Sequence, residues 1–197
     1  MPLNQTILDQ LSTTILSEYN TGRIVSERHL QAFIYHQLHE QMQEAGLTLV
    51  IEPSIKTMEK SNIDGLIPDV IIRSEKEVLA VIELKFVPYG YPQYKKDFAT
   101  FSAFYSSVDK QSKIYLSCSP KDGLWDQEQR YTLSTDLKVY YLVIARHDSY
   151  LFSDTSSIVN EYFDAFNTYF FQPIFIKIDP SSDPQKTIVQ TDQIYVK

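Results

Sequence analysis

Two stretches near the start of the chain repeat apolar residues at the spacing of a helix. In the first, Ile7, Leu11 and Ile15 recur every four residues, which places them on one helix face. The second runs between Ser26, a suitable N-cap, and Gly46, a suitable stop. Its apolar positions are Leu30, Phe33, Ile34, Leu38 and Met42. The pattern predicts two amphipathic helices at the start of the chain.

The middle of the chain changes to the alternation and β-branched content of strands. In residues 47–55, Leu47, Leu49 and Ile51 recur at every second position, and a polar, turn-like stretch follows. Two runs, LIPDVIIRS (66–74) and EVLAVIELKFV (77–87), are rich in valine and isoleucine and are separated by a short charged segment. We therefore expect one strand, a loop and a β-hairpin.

Helical and strand patterns alternate in the remainder. Residues 93–108 and 156–170 have the periodicity of helices, and KIYLSCS (113–119) reads as a strand. KVYYLVIAR (138–146) is apolar on both faces, which is typical of a strand in the centre of a sheet. The tail, 172–179 and 187–197, has strand character.

The composition supports one α/β domain that spans residues 1–197. The chain is 43% hydrophobic with only 5 Gly and 9 Pro, and that is typical of a globular protein. No apolar run is long enough to cross a membrane, no secretory signal is visible, and the single Cys118 cannot form an internal disulfide. We expect a cytoplasmic protein. A net charge of -7 argues against binding nucleic acid through a broadly positive surface, although carboxylates that hold a metal contribute to that charge.

Three charged residues interrupt the two apolar runs of the hairpin. Glu83 and Lys85 share one strand face because side chains alternate along a strand. If the turn is a three-residue loop, Glu75 to Glu77, Asp69 lies opposite Glu83 with Cβ atoms roughly 5 Å apart. A register slip of one residue would separate the two carboxylates onto opposite faces.

Two facing carboxylates repel each other unless a cation lies between them. Mg²⁺ or Mn²⁺ accepts such hard oxygen ligands, and the backbone carbonyl of Leu84 is a further candidate ligand. Lys85 would orient or deprotonate a water, or offset charge on a phosphate oxygen. This chemistry suits phosphodiester hydrolysis. The simpler interpretation is a solvated strand face with an ion pair that contributes little stability.

Pro68-Asp69 followed by Glu83-Leu84-Lys85 resembles the motif of the PD-(D/E)XK nucleases, the restriction-endonuclease-like superfamily. The resemblance covers roughly residues 20 to 120 and implies a mixed central sheet flanked by helices, in the order α-β-β-β-α-β. An additional N-terminal helix and a C-terminal extension would surround that core. It further implies a Mg²⁺- or Mn²⁺-dependent nuclease, usually acting on DNA, in which Glu27 also binds the metal, directly or through water.

Several alternatives stay open. Glu27 is also favoured in a first helical turn by the helix dipole, and Gln31 on its face is either a site residue or a polar boundary position. Lys95 and Lys96 are candidates for phosphate contacts, and Tyr89, Tyr91 and Tyr94 for base stacking; a solvated helix start with a tyrosine-rich loop is the better explanation of these residues. A recruiting protein partner or a homodimer would remove the objection of the acidic charge. A non-catalytic binding or scaffold module with the nuclease fold is the alternative function.

Overall fold

The computed structural model describes residues 2–57, 61–88, 95–108, 113–117, 130–146, 170–178 and 188–190. The helices are α1 (Gln5–Asn20), α2 (Glu27–Glu44) and α3 (Lys95–Val108). The strands are β1 (Thr48–Ile51), β2 (Ser54–Thr57), β3 (Val70–Arg73), β4 (Glu77–Val87), β5 (Lys113–Ser117), β6 (Tyr131–Arg146), β7 (Phe170–Ile178) and β8 (Ile188–Gln190).

Both N-terminal helices form where the apolar periodicity predicts them, and side-chain caps set their starts. The Asn4 side chain accepts a hydrogen bond from the Ile7 amide at 2.9 Å and caps α1. The Ser26 hydroxyl accepts from the His29 amide at 3.2 Å, so Ser26 is the N-cap of α2 as predicted. Glu27 is consequently the first residue of α2.

The strands form one mixed sheet. Its order is β1-β3-β4-β6-β5-β2, with β7 on the far part of β6 and β8 beyond it. β3 is antiparallel to β1 and to β4, whereas β4 is parallel to β6. The predicted hairpin and the predicted central position of 138–146 are both confirmed, because β6 has a neighbour on each side along that segment.

Helices cover both faces of the sheet, which confirms the α/β class. On one face α1 and α2 pack against alternate residues of the strands, among them Ile82 and Leu84 of β4. On the other face α3 packs with Phe98, Phe101 and Phe104 against Ile71, Val81 and Tyr141. Since Val81, Glu83 and Lys85 alternate with Ile82 and Leu84, the two charged residues of β4 lie on the α3 side.

The sheet is strongly curled. β1 and β2 are separated by only two residues, Glu52 and Pro53, yet they lie at opposite ends of the six-strand path. The two ends must therefore come close together. The expectation of one strand over 47–55 is wrong because Glu52 has a positive φ of 44°, a conformation that ends β1 and redirects the chain.

The third helix and two later strand predictions have mixed outcomes. The helix predicted over 93–108 is confirmed over Lys95–Val108 as α3, and Lys113–Ser117 of the run KIYLSCS form β5. However, β5 pairs antiparallel with β2, and the parallel neighbour of β4 is β6, beyond the 20–120 range of the resemblance. No short-range sequence pattern distinguishes these two strands as partners of β4.

Other expectations fall mostly outside the described residues. The helix predicted over 156–170 lies there except for Phe170, which instead begins β7. The described residues also exclude Tyr89, Tyr91, Tyr94, Cys118 and most of the 187–197 tail. Within that tail, residues 188–190 form β8. Among the helices of the described ranges, none is long and apolar enough to cross a membrane.

Candidate active site

The hairpin register brings Asp69 and Glu83 face to face. Val70 pairs with Ile82 and Ile71 with Val81, so the same register places Asp69, one residue before β3, opposite Glu83. This confirms the register on which the sequence prediction of a carboxylate pair depends. Both side chains are partly buried on the face that α3 covers.

The register that pairs Asp69 with Glu83 results from a tight turn followed by a β-bulge. The Ser74 hydroxyl accepts from the amides of Lys76 and Glu77, and the tight turn pairs Arg73 with Val78. Continued unchanged, that register would place Asp69 opposite Ile82, on the wrong face. A β-bulge instead makes Ile72 pair with Ala80, so Leu79 is the additional residue that restores the facing carboxylates.

Asp69 accepts three hydrogen bonds from groups other than Glu83. Its Oδ2 accepts from the Leu84 amide at 2.6 Å, and its backbone carbonyl accepts from Gln31 Nε2 at 3.2 Å and from the Glu52 amide at 3.0 Å. Gln31 is only 8% exposed. The sequence suggested it as a possible site residue, and it holds the backbone of Asp69 rather than facing the open part of the site.

Pro68 removes the ladder donor that would face the Leu84 carbonyl. In the register of the hairpin, Pro68 lies opposite Leu84, and proline has no backbone N–H to complete the ladder. The Leu84 carbonyl cannot receive that ladder hydrogen bond. A backbone oxygen is thereby left next to the two carboxyl groups, in the position that the sequence prediction assigned to a ligand.

The environment of the two carboxyl groups favours one bound proton between them. Burial, the neighbouring charge of Asp69 and a hydrogen bond between the two side chains raise the pKa of Glu83 to about 9. Burial also raises the pKa of Asp69, against the lowering effect of the Leu84 amide. At neutral pH Glu83 is therefore the protonated member and donates to Asp69.

Lys85 contacts an acidic residue that the sequence prediction did not include. Its Nζ lies 3.2 Å from Oδ2 and 3.3 Å from Oδ1 of Asp97, in the first turn of α3. The Tyr141 hydroxyl of β6 donates to Asp97 Oδ2 at 2.8 Å. Burial lowers the pKa of Lys85, but Asp97, Glu27 and Asp69 together raise it above its ordinary value, so the lysine stays charged.

A signal for Asp97 was present in the sequence. Asp97 precedes Phe101 by four residues and Tyr105 by eight, so it shares the apolar face of α3. A charged residue on a buried face requires a partner. The identity of its partners depends on strand pairing and could not be read from the helix.

Glu27 approaches the site from the other side of the sheet. It is exposed, and its Oε2 accepts from the Phe86 amide of β4 at 3.2 Å. Its charge acts on both Asp69 and Lys85. Among the described residues, no group of three His, Cys, Asp or Glu side chains gathers as a metal-binding cluster, and the metal role of Glu27 stays a prediction.

The donor set at the hairpin fits a hard divalent cation. Two carboxyl groups and the Leu84 carbonyl are oxygen ligands, and Mg²⁺ commonly keeps several waters when the protein supplies so few. Binding would require Glu83 to lose the proton that it shares with Asp69. Comparisons with protein-family models, curated proteins and solved structures found no match to this chain, so its function is inferred from this geometry.

Proposed function

We propose that this protein is a Mg²⁺- or Mn²⁺-dependent nuclease of the PD-(D/E)XK type, with DNA as its substrate. The observation that carries the proposal is the hairpin register, which sets Asp69 opposite Glu83 and places Lys85 two residues further along the same face. Two carboxylates for a metal and one ammonium for developing negative charge are the groups that phosphodiester hydrolysis needs.

The order of elements supports a restriction-endonuclease-like core. Helix α2 precedes the strands β1, β3 and β4. In the sheet, β3 pairs antiparallel with β1 on one side and with β4 on the other. α3 follows, and β6 returns parallel to β4. This is the α-β-β-β-α-β order that the resemblance implies, with β2 and β5 added at one end of the sheet.

Each residue has a defined task in the proposed reaction. Asp69 and Glu83, with the Leu84 carbonyl, would hold the cation, and Glu27 would act on it through water because its carboxylate lies on the Phe86 amide. The metal, when bound, supplies positive charge that activates water and neutralises the phosphate. Lys85 stays protonated at neutral pH, so it would donate to a water or phosphate oxygen rather than remove a proton.

With a net charge of -7, the protein surface as a whole repels the phosphates of DNA. Attraction to DNA would therefore have to come from positive groups at the site itself. A divalent cation together with Lys85 would offset the acidic residues at the site itself. A recruiting protein or a second copy of the chain would supply the remaining affinity. We place this activity in the cytoplasm.

A cleavage assay with matched variants tests the proposal. Linear, circular and single-stranded DNA and RNA would be incubated with Mg²⁺ or Mn²⁺ and with chelator. Asp69→Asn and Lys85→Met should abolish cleavage, while Asp136→Asn and Lys76→Met should retain it, because Asp136 is exposed and Lys76 lies in the turn at the opposite end of the hairpin. The matched variants, purified in the same way, control for a contaminating nuclease. Cleavage by Asp69→Asn at the wild-type rate would refute the assignment.

A non-catalytic binding module is the second candidate. The observation that favours it is that the carboxyl groups of Asp69 and Glu83 are hydrogen-bonded to each other. Calorimetry separates the two functions. Binding of Mg²⁺ or Mn²⁺ that disappears in Asp69→Asn supports the nuclease, and no binding supports the module.

A further inference from the structure

We propose that Asp97 and Tyr141 form a positioning pair for Lys85, fixing where its ammonium group lies in the site. The pair is defined by three contacts: two from Lys85 Nζ to the oxygens of Asp97, at 3.2 and 3.3 Å, and one from the Tyr141 hydroxyl to Asp97 Oδ2, at 2.8 Å. The proposal rests on the proposed function only in giving Lys85 a role in the reaction.

The contacts restrict a side chain that is otherwise flexible. Lysine carries its charge on a four-carbon stem with many rotamers, so a single hydrogen bond leaves its ammonium poorly placed. Asp97 contacts it with both oxygens and is itself nearly buried, with 8% of the side chain exposed against 25% for Lys85. A buried carboxylate needs compensation, and Tyr141 and Lys85 provide it together.

The Tyr141 ring is held rigidly in turn. Phe98 and Phe101 of α3 meet it edge-on, with ring centroids 5.8 and 5.6 Å away. Tyr141 also lies directly opposite Glu83 in the parallel pairing of β4 and β6. The pair therefore ties the first turn of α3 to the two central strands at the level of the carboxylates.

The placement of Lys85 indicates a role beyond an internal ion pair. The charges of Glu27 and Asp69 reach it as well as that of Asp97, so the ammonium lies among the acidic groups of the site. A quarter of its side chain is open to solvent, whereas Asp97 faces the interior. Asp97 and Tyr141 thus hold the Lys85 ammonium group from the protein interior and leave its solvent-facing side accessible.

The first test measures the chemical reactivity of the Lys85 amine and needs no nuclease activity. Acetic anhydride labelling of the folded full chain, read by peptide mass spectrometry, gives the reactivity of Lys85 relative to exposed Lys76. Asp97→Asn and Tyr141→Phe should each raise that ratio several-fold. Unchanged ratios in both variants overturn the positioning pair.

Two controls match these variants. Tyr140→Phe removes a buried hydroxyl from the adjacent residue, whose ring points to the other face and bonds to Leu3. Asp136→Asn removes a carboxylate from another lysine ion pair, with Lys138. Neither should change the Lys85 ratio; an equal rise in the controls would also overturn the proposal. If Asp97→Asn fails to fold, the comparison of Tyr141→Phe with Tyr140→Phe decides alone.

The second test measures cleavage kinetics. Asp97→Asn should lower kcat by about 10- to 100-fold with little change in KM, as loss of a supporting group does in metal enzymes, and Asp97→Glu should restore part of it. Tyr141→Phe should lower kcat about fivefold, the effect of one hydrogen bond. A rise in KM with kcat unchanged would make Asp97 a substrate-binding residue and overturn positioning.

The two tests distinguish the failure of each proposal. If the wild-type chain cleaves nothing but Lys85 becomes more reactive in the two variants and in neither control, the positioning pair is supported and the nuclease proposal fails. If the wild-type chain cleaves DNA and Lys85 reactivity does not respond, the pair fails and the nuclease proposal stands.

Discussion

Replacing Glu83 with glutamine should make the fold more stable at alkaline pH. Glutamine reproduces the protonated carboxyl group, since its amide can donate to Asp69, but it has no proton to lose. The folded-state pKa of Glu83 is about 9, above its ordinary value of 4.5. Between these two values the unfolded chain binds fewer protons than the folded chain, so stability falls as pH rises.

The magnitude follows from proton linkage. A difference of one bound proton changes the free energy of unfolding by about 1.4 kcal/mol per pH unit, so the upper limit from about pH 5.5 to about pH 8 is roughly 3 kcal/mol. The wild-type chain should lose stability relative to Glu83→Gln across this range. Below about pH 4.5 the free energies of unfolding of the wild type and of Glu83→Gln should converge, because Glu83 is then protonated in both the folded and the unfolded state.

Urea unfolding followed by circular dichroism at a series of pH values measures this difference. Glu77→Gln is the matched control, since Glu77 begins the same strand and is exposed. Its stability curve should run parallel to that of the wild type. A Glu83→Gln curve that also runs parallel to the wild type would refute the shared proton and, with it, the burial and coupling of the two carboxyl groups.

Three further predictions concern the site. Binding of Mn²⁺ at neutral pH should release close to one proton because Glu83 must ionise, so the binding enthalpy measured by calorimetry should vary with the ionisation heat of the buffer; an enthalpy independent of buffer would contradict this. Glu27→Gln should reduce cleavage by about 10- to 100-fold while Glu44→Gln, at the exposed far end of α2, leaves it unchanged, and equal rates would remove Glu27 from the site. Deleting Leu79 should abolish the Asp69-dependent binding of Mn²⁺ in a chain that still folds, because the register without the bulge turns Asp69 away from Glu83; retained binding would show that the bulge does not set the site.

The sequence was informative wherever a local pattern determines the structure. The helices α1 and α2, the hairpin and the central strand β6 each follow from apolar periodicity over a short window. The facing of Asp69 and Glu83 was also predicted, but for an incomplete reason. The tight turn alone gives the wrong register, and the bulge at Leu79, which has no clear sequence signal, corrects it.

Features that depend on long-range pairing could not be predicted. The positive φ of Glu52 sends β2 to the opposite end of the sheet, where β5 occupies the place beside it. The contact between Asp97 and Tyr141 joins residues 44 positions apart and exists only because β6 lies parallel to β4. The hydrogen bond from the Phe86 amide to the Glu27 carboxylate is likewise a tertiary contact that helix periodicity does not predict.

Asp69 and Glu83 are proposed to hold a divalent cation that promotes the hydrolysis of phosphodiester bonds. The most direct measurement is Mn²⁺-dependent cleavage of linear and circular DNA by the wild-type chain, by Asp69→Asn and by Asp136→Asn, with and without chelator. We expect the wild type and Asp136→Asn to cleave both DNAs, chelator to stop this cleavage, and Asp69→Asn to cleave neither. Equal cleavage by all three chains, or cleavage that persists in chelator, would contradict it.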